Sequence, residues 1–114
     1  MKIKREHIYA ANLNPRFGTE PGKMRPVLVL QTDFLNEHGH SSTIVCLLTT
    51  QINKEAKLLR VHLEAGEAGL VKKSDVMIDQ IRSIDNRRFK KLLGKISEKL
   101  MKEIKQKVML VLEL

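Results

Sequence analysis

The chain has no tryptophan, one tyrosine and three phenylalanines, so aromatic side chains cannot fill its interior. Valine, isoleucine, leucine and methionine must do so, and 114 residues leave room for one domain, residues 1–114, with a modest core. At 42% hydrophobic, the chain is expected to fold. The single cysteine, Cys46, excludes an intrachain disulfide. It lies within an apolar run and reads as a small core residue rather than a nucleophile. No apolar run approaches the ~20 residues of a membrane span. The N-terminal Met-Lys-Ile-Lys-Arg-Glu-His lacks the apolar core of a signal peptide, so a cytoplasmic protein with no membrane partner is expected. Also missing are a Walker phosphate loop, a dinucleotide glycine fingerprint and a Cys-x-x-Cys pair. His38-Gly39-His40 has no obvious further ligands, and neither a metal nor a cofactor is expected. Acidic residues are few, 13 Asp+Glu against 21 Lys+Arg, a formal net charge of +8. A small domain that basic suits a polyanionic partner: nucleic acid, an anionic surface or an acidic protein.

What is present is organised around residues 18–33, which begin as a loop and end as a strand. Gly18, Pro21 and Gly22 break regular structure, so residues 14–24 are predicted to form a mobile surface loop. Pro26 biases Arg25 towards an extended backbone. Val27-Leu28-Val29-Leu30 is a continuous apolar run, as in a strand buried on both faces. Arg25 thus stands where a loop meets a rigid strand, a place where a site holds a charge in fixed position. A solvated arginine that merely starts a strand is the plainer reading of an isolated Arg-Pro.

Along the chain, residues 7–13 predict a first strand and residues 25–31 a second. Residues 32–42 read as a polar loop with turn chemistry at Asn36 and Gly39. Residues 43–50 form an apolar, β-branched third strand. Successive strands pair antiparallel, and a symmetrical loop then sets Arg25 opposite Thr49. A short strand is predicted over residues 59–64, an irregular stretch over 65–73 and a long strand over 74–85. Asp79 and Gln80 interrupt that last strand. A mid-strand acid is costly unless paired, so it marks a barrel rim, a salt bridge or a ligand site. From Asn86 the apolar period lengthens, and Phe89, Leu92, Leu93 and Ile96 predict a short helix ended near Gly94. Ser97 reads as the N-cap of a C-terminal helix, with Glu98 suiting its positive start. Leu100, Met101, Ile104, Val108 and Val111 line one side and Lys99, Lys102, Lys105 and Lys107 the other. A core-packing helix with a solvated basic face fits better than a membrane-lying one, which would need aromatic anchors. The fold class is mainly β or α+β.

Few residues remain to carry chemistry: Arg25, Thr49 and Gln51, the loop residues Arg16, Phe17, Thr19 and Glu20, and the polar set Asp79, Gln80 and Arg82. This set suits a phosphodiester. Arginine grips two phosphate oxygens bidentately and a threonine hydroxyl adds a further contact. In RNA the 2′-hydroxyl is already in place as nucleophile, so the protein need only align it and stabilise charge on phosphorus. Read alone, Phe17 either tucks back to pin its loop or stacks on a base. The general base is open: Glu20, Asp79 or the phosphate itself, since arginine holds its proton.

The segment Gly18-Thr19-Glu20-Pro21-Gly22-Lys23-Met24-Arg25-Pro26-Val27 resembles the MazF/PemK/Kid family signature, Gly-Ser-Glu-Gln-x-Gly-x-Arg-Pro before an apolar strand. Thr19, Pro21 and Lys23 depart from it. Asp79-Gln80-Ile81-Arg82-Ser83-Ile84-Asp85 resembles the family's Asp/Glu-Gln-x-Arg-x-Ile-Asp element, while Glu6-His7 replaces the usual Gly-Asp or Gly-Glu. The resemblance covers nearly the whole chain. It implies a compact SH3-like antiparallel barrel, of the MazF/CcdB type, with a short helix and a C-terminal helix. It implies a toxin that cleaves single-stranded mRNA without metal, leaving a 2′,3′-cyclic phosphate and a 5′-hydroxyl. Arg25 and Thr49 match the family's catalytic pair, and Phe17 is then expected to stack on a base. Kid-like members use another Arg and a His, where Met77 and Thr19 stand here, which favours the Arg25/Thr49 arrangement. The resemblance further implies a homodimer, joined through loops beside the third strand and the C-terminal helix, and an acidic, partly disordered antitoxin. Two other readings are a CcdB-like gyrase inhibitor working through the C-terminal helix and a non-catalytic basic RNA-binding barrel. A gyrase inhibitor would not need Arg25 to face Thr49.

Overall fold

The computed structural model describes every residue except Arg16, Glu20 and Pro21. Six strands, β1 (His7–Asn12), β2 (Met24–Val29), β3 (Ser42–Thr49), β4 (Arg60–Leu63), β5 (Ser74–Asp85) and β6 (Phe89–Lys95), form one sheet. Helix α1 (Asp33–Glu37) joins β2 to β3, and α2 (Glu98–Leu112) closes the chain. The sheet order is β4-β5-β3-β2-β1-β6 and every pairing is antiparallel. The protein is therefore mainly β, a curled antiparallel half-barrel with a C-terminal helix.

Both faces of the central strands are buried, which explains the unbroken apolar run in β2. Leu28, Cys46, Leu48, Val61, Val76 and Ile78 pack on one face with Met101 and Ile104 of α2. Tyr9, Val27, Val29, Val45, Leu47, Met77 and Phe89 fill the other, with Tyr9 and Phe89 in edge-to-face contact at 5.3 Å. Ser97 caps α2, its Oγ accepting from the Leu100 N–H at 3.4 Å, and Glu98 lies in the first turn. Lys107 departs from the solvated basic face expected of this helix. Its ammonium donates to the Lys57 and Arg60 carbonyls at 2.7 and 3.0 Å, tying α2 to the chain before β4. Among the described residues no helix is long and apolar enough to cross a membrane.

Two expected elements are corrected. Residues 32–42 are not wholly loop: Thr32 Oγ1 accepts from the Phe34 N–H and Asp33 opens the first turn, and these two residues start α1. The helix expected over residues 86–96 is instead a 3-10 turn, Asn86–Arg88, followed by β6. The β1–β6 ladder shifts register twice, between Ile8 and Tyr9 and between Ala10 and Ala11. These irregularities break the two-residue alternation of a strand. Phe89 and Leu93, four positions apart, both turn to core, on opposite faces of the sheet. That spacing imitates a helix.

Candidate active site

Arg25 and Thr49 are set by the β2–β3 ladder. Val27 pairs with Leu47, and the same register continued two residues brings Arg25 opposite Thr49. Parity puts both on the Val27/Leu47 face, away from α2. The Arg25 guanidinium is half-buried. Its Nε–H donates to the Gly22 carbonyl at 3.0 Å and its Nη1 to the Leu48 carbonyl at 3.4 Å. Two of the five guanidinium N–H donors are thus taken by backbone, an arrangement that fixes the plane of the group and leaves others for an anion. Thr49 is 7% exposed. Its Oγ1 accepts from the Gln51 N–H at 3.1 Å, which leaves the hydroxyl proton to donate elsewhere. Arg25 opens into a cleft of about 410 Å³ lined also by Asn14, Gly22, Lys23 and Gln51.

The neck of the loop before β2 is tied. Asn14 Oδ1 accepts from the Lys23 N–H at 2.8 Å, and the Leu13 N–H donates to the Lys23 carbonyl at 2.9 Å. From the 3-10 turn before β6, Arg88 Nη1 donates to the Asn12 and Asn14 carbonyls at 3.0 and 2.7 Å. Beyond this neck, Phe17 is 68% exposed, as a group that stacks on a ligand would be, and Thr19 is exposed. Arg16 and Glu20 lie outside the described residues.

Gln51 shares the Arg25 cleft. Asp79 and Gln80 sit in a bulge: Cys46 pairs with Ile81 and Leu48 with Val76, so residues 77–80 oppose Leu47 alone. Bulges re-aim side chains, and Asp79, expected mid-strand, is exposed by this one while Gln80 is half-buried. Leu47 is two residues from Thr49, roughly 7 Å along the strand. Arg82 pairs with Val45, four residues from Thr49 and roughly 14 Å along the strand. Cys46 is buried and its thiol donates to the Met77 carbonyl at 3.0 Å. Burial, and secondly the charge of Asp79, push its pKa up to about 12, so it is no nucleophile at neutral pH.

Sequence reasoning missed the polar group on the far side of Thr49. Thr49 pairs with Asp75 across β3–β5, and Asp75 with His62 across β5–β4. Asp75 is 1% exposed. It accepts from the Asn53 N–H at 2.9 Å and Arg60 Nη1 at 3.1 Å, and contacts His62 Nδ1 at 3.3 Å. Arg60 Nη1 also donates to the Gln51 carbonyl at 3.0 Å. His62 Nε2 lies 2.6 Å from Glu64 Oε2. That contact above all raises the His62 pKa and lowers that of Glu64. Only the β3–β5 register, which pairs the second residue of β5 with the last of β3, reveals it beside Thr49.

The arrangement is one fixed cation beside a cleft, one oriented hydroxyl and an exposed aromatic in the preceding loop, a set suited to gripping a phosphodiester between neighbouring bases. Comparison with known proteins agrees in kind. The family model described as PemK-like, MazF-like toxin of type II toxin-antitoxin system matches residues 4–112. A protein named Endoribonuclease MazF from Staphylococcus saprophyticus is 36% identical over 102 residues, 90% of this chain and 84% of that protein. The crystal structure of MazF (Form-I) from Deinococcus radiodurans superposes with a TM-score of 0.84 at 24% identity, over 100% of this chain and 99% of that one. MazE-MazF (Form-II) from the same organism gives a TM-score of 0.79 at 26% identity, covering 100% and 98%. The chain belongs to the family of PemK-like, MazF-like toxins of type II toxin–antitoxin systems.

Proposed function

We propose that this toxin endoribonuclease cleaves single-stranded RNA at specific sequences and without a metal ion. Arg25 clamps two oxygens of the scissile phosphate, and the Thr49 hydroxyl donates to the same group. The neighbouring ribose 2′-oxygen attacks phosphorus and the bond to the 5′-oxygen breaks. The products are a 2′,3′-cyclic phosphate and a 5′-hydroxyl, and the proton lost by the 2′-oxygen is matched by the one gained by the leaving 5′-oxygen. The guanidinium stabilises the charge that builds on the equatorial oxygens. Phe17 stacks on a base, and Arg16, Thr19, Glu20, Gln51, Asp79, Gln80 and Arg82 contact the flanking nucleotides. The protein acts in the cytoplasm as a homodimer and is neutralised by an acidic antitoxin, for which the +8 charge is suited.

The observation that supports this reading is the β2–β3 register, which continued from the Val27–Leu47 pair brings Arg25 opposite Thr49, beside the cleft that Arg25 shares with Gln51. The test is incubation of purified protein with single-stranded RNA in EDTA. Cleavage that survives chelation, yields cyclic-phosphate ends and is lost in both Arg25→Ala and Thr49→Ala supports the reading. Intact RNA together with trapped gyrase–DNA complexes overturns it in favour of gyrase inhibition. RNA binding with neither effect reduces the protein to a binding barrel.

A further inference from the structure

We propose that Asp75 and Arg60 are positioning residues that hold the segment from Thr49 to Asn53 in its working conformation. The inference rests on the reading of Thr49 as a phosphate contact. Thr49 ends β3, and Gln51, which lines the Arg25 cleft, follows it with no strand to hold it. Three bonds fix this segment. One is internal, from the Gln51 N–H to Thr49 Oγ1. The other two reach it from neighbouring strands: Arg60 Nη1 of β4 to the Gln51 carbonyl, and Asp75 of β5 from the Asn53 N–H. The Asp75–Arg60 contact at 3.1 Å couples them.

A buried carboxylate is expensive unless its oxygens are satisfied. Asp75 meets that condition only while Asn53, Arg60 and His62 stay in place, so leaving the folded loop exposes the network to loss of several bonds together. The device therefore has a preferred state rather than a range of them. Its output is the direction of the Thr49 hydroxyl, since the Gln51 N–H can occupy the Oγ1 lone pair only when Gln51 is held. Neither Asp75 nor Arg60 need touch RNA.

One detail makes the proposal sharp. Both Arg60 bonds leave from a single nitrogen, Nη1. A lysine ammonium is also a single nitrogen with three protons, so Arg60→Lys retains much of the function that Arg60→Gln loses. A purely electrostatic attraction of Arg60 for RNA would not separate these variants by kcat.

The experiment measures kcat and KM on a single-stranded RNA for wild type, Asp75→Asn, Arg60→Gln, Arg60→Lys and the double variant Asp75→Asn/Arg60→Gln. Amide hydrogen exchange at Gln51 and Asn53 is followed in parallel. Expected are a kcat lower by about 10- to 100-fold in Asp75→Asn and Arg60→Gln with KM within about threefold, as for a misplaced catalytic contact. Arg60→Lys recovers most of the rate, the double variant is no worse than either single one, and both amides exchange faster wherever kcat falls. A loss confined to KM, or unchanged exchange at Gln51 and Asn53, overturns the proposal. If Asp75→Asn fails to fold, the Arg60 pair decides by itself. A wild-type protein that leaves RNA intact overturns the functional reading and the positioning role with it. Active wild type with unaltered kcat in Arg60→Gln overturns the positioning role alone.

Discussion

Thr49 and Asp75 face each other across the β3–β5 ladder, the hydroxyl at the end of one strand set against the buried carboxylate near the start of the next. Extending the line through the neighbouring ladders adds Arg25 on one side and His62 on the other. The polar residues thus occupy one transverse row across the sheet. Successive strands lie about 4.8 Å apart, so the row of four runs roughly 14 Å across the sheet.

The Arg25 end of the row gives the first prediction. Arg25→Lys keeps the charge but loses the planar fork, so kcat/KM falls by about 10²–10³, close to the loss in Arg25→Ala. Thr49→Ser keeps the hydroxyl and holds activity within about tenfold, whereas Thr49→Val loses it while leaving the Gln51 N–H unpaired. Initial rates on one RNA, with thermal unfolding to confirm folding, read both effects.

The His62–Glu64 contact predicts a bell-shaped pH dependence of its contribution to stability. Its bond to Glu64 raises the His62 pKa above the ordinary 6.5. That contribution is full below 6.5 and is lost as pH rises through the raised value. Glu64 is lowered below 4.5 chiefly by the same bond. Its contribution is full above 4.5 and is lost as pH falls through the lowered value. Melting temperatures of wild type and His62→Gln should therefore differ most between 4.5 and 6.5, the difference shrinking on either side. Because both groups are largely solvated, the difference should also shrink with added salt. A difference that grows towards alkaline pH would contradict this.

Cys46 should resist alkylation in the folded protein. Its thiol is buried in the core and pushed up to about 12, so almost no thiolate exists at neutral pH. Iodoacetamide labelling near pH 8 should proceed at a rate set by opening of the sheet and become fast in denaturant. Rapid labelling of the native protein would show that β3 is not held between β2 and β5.

How much of this was legible in the sequence depended on whether each element's pattern was its own. β2 and β3 are buried on both faces, and their continuous apolar runs announced them; the Arg25–Thr49 pairing followed from register. Ser97 and the stripe from Leu100 to Val111 announced α2 by capping and period. β6 was hidden because register shifts against β1 turn Phe89 and Leu93 to core on opposite faces, which breaks the two-residue alternation that marks a strand. Asp79 reads as a burial problem until the bulge opposite Leu47 turns it to solvent. Asp75 was overlooked because its environment is made entirely by other elements: Asn53 after β3, and Arg60 and His62 on β4. Nothing within its own strand marks it.

Gly94 supplies the last prediction. It lies in β6 where the 3-10 turn Glu67–Gly69 crosses the strand, and a Cβ at Gly94 would sit 2.7 Å from the Ala68 carbonyl carbon and 2.8 Å from its oxygen. The obstruction is backbone, so no side-chain rotation relieves it. Ala68 is itself held in the left-handed region at φ 50° and is buried against the face that packs on α2. Gly94→Ala must therefore push the turn away from β6, at about 1–3 kcal/mol, as in other overpacked sites. The expected result is a melting temperature lower by several degrees. Cleavage per folded molecule should be unchanged, because neither Gly94 nor the turn lines the Arg25 cleft. A cleavage rate that fell in step with Arg25→Lys would instead mean that the β6 edge shapes the Arg25 cleft through β1.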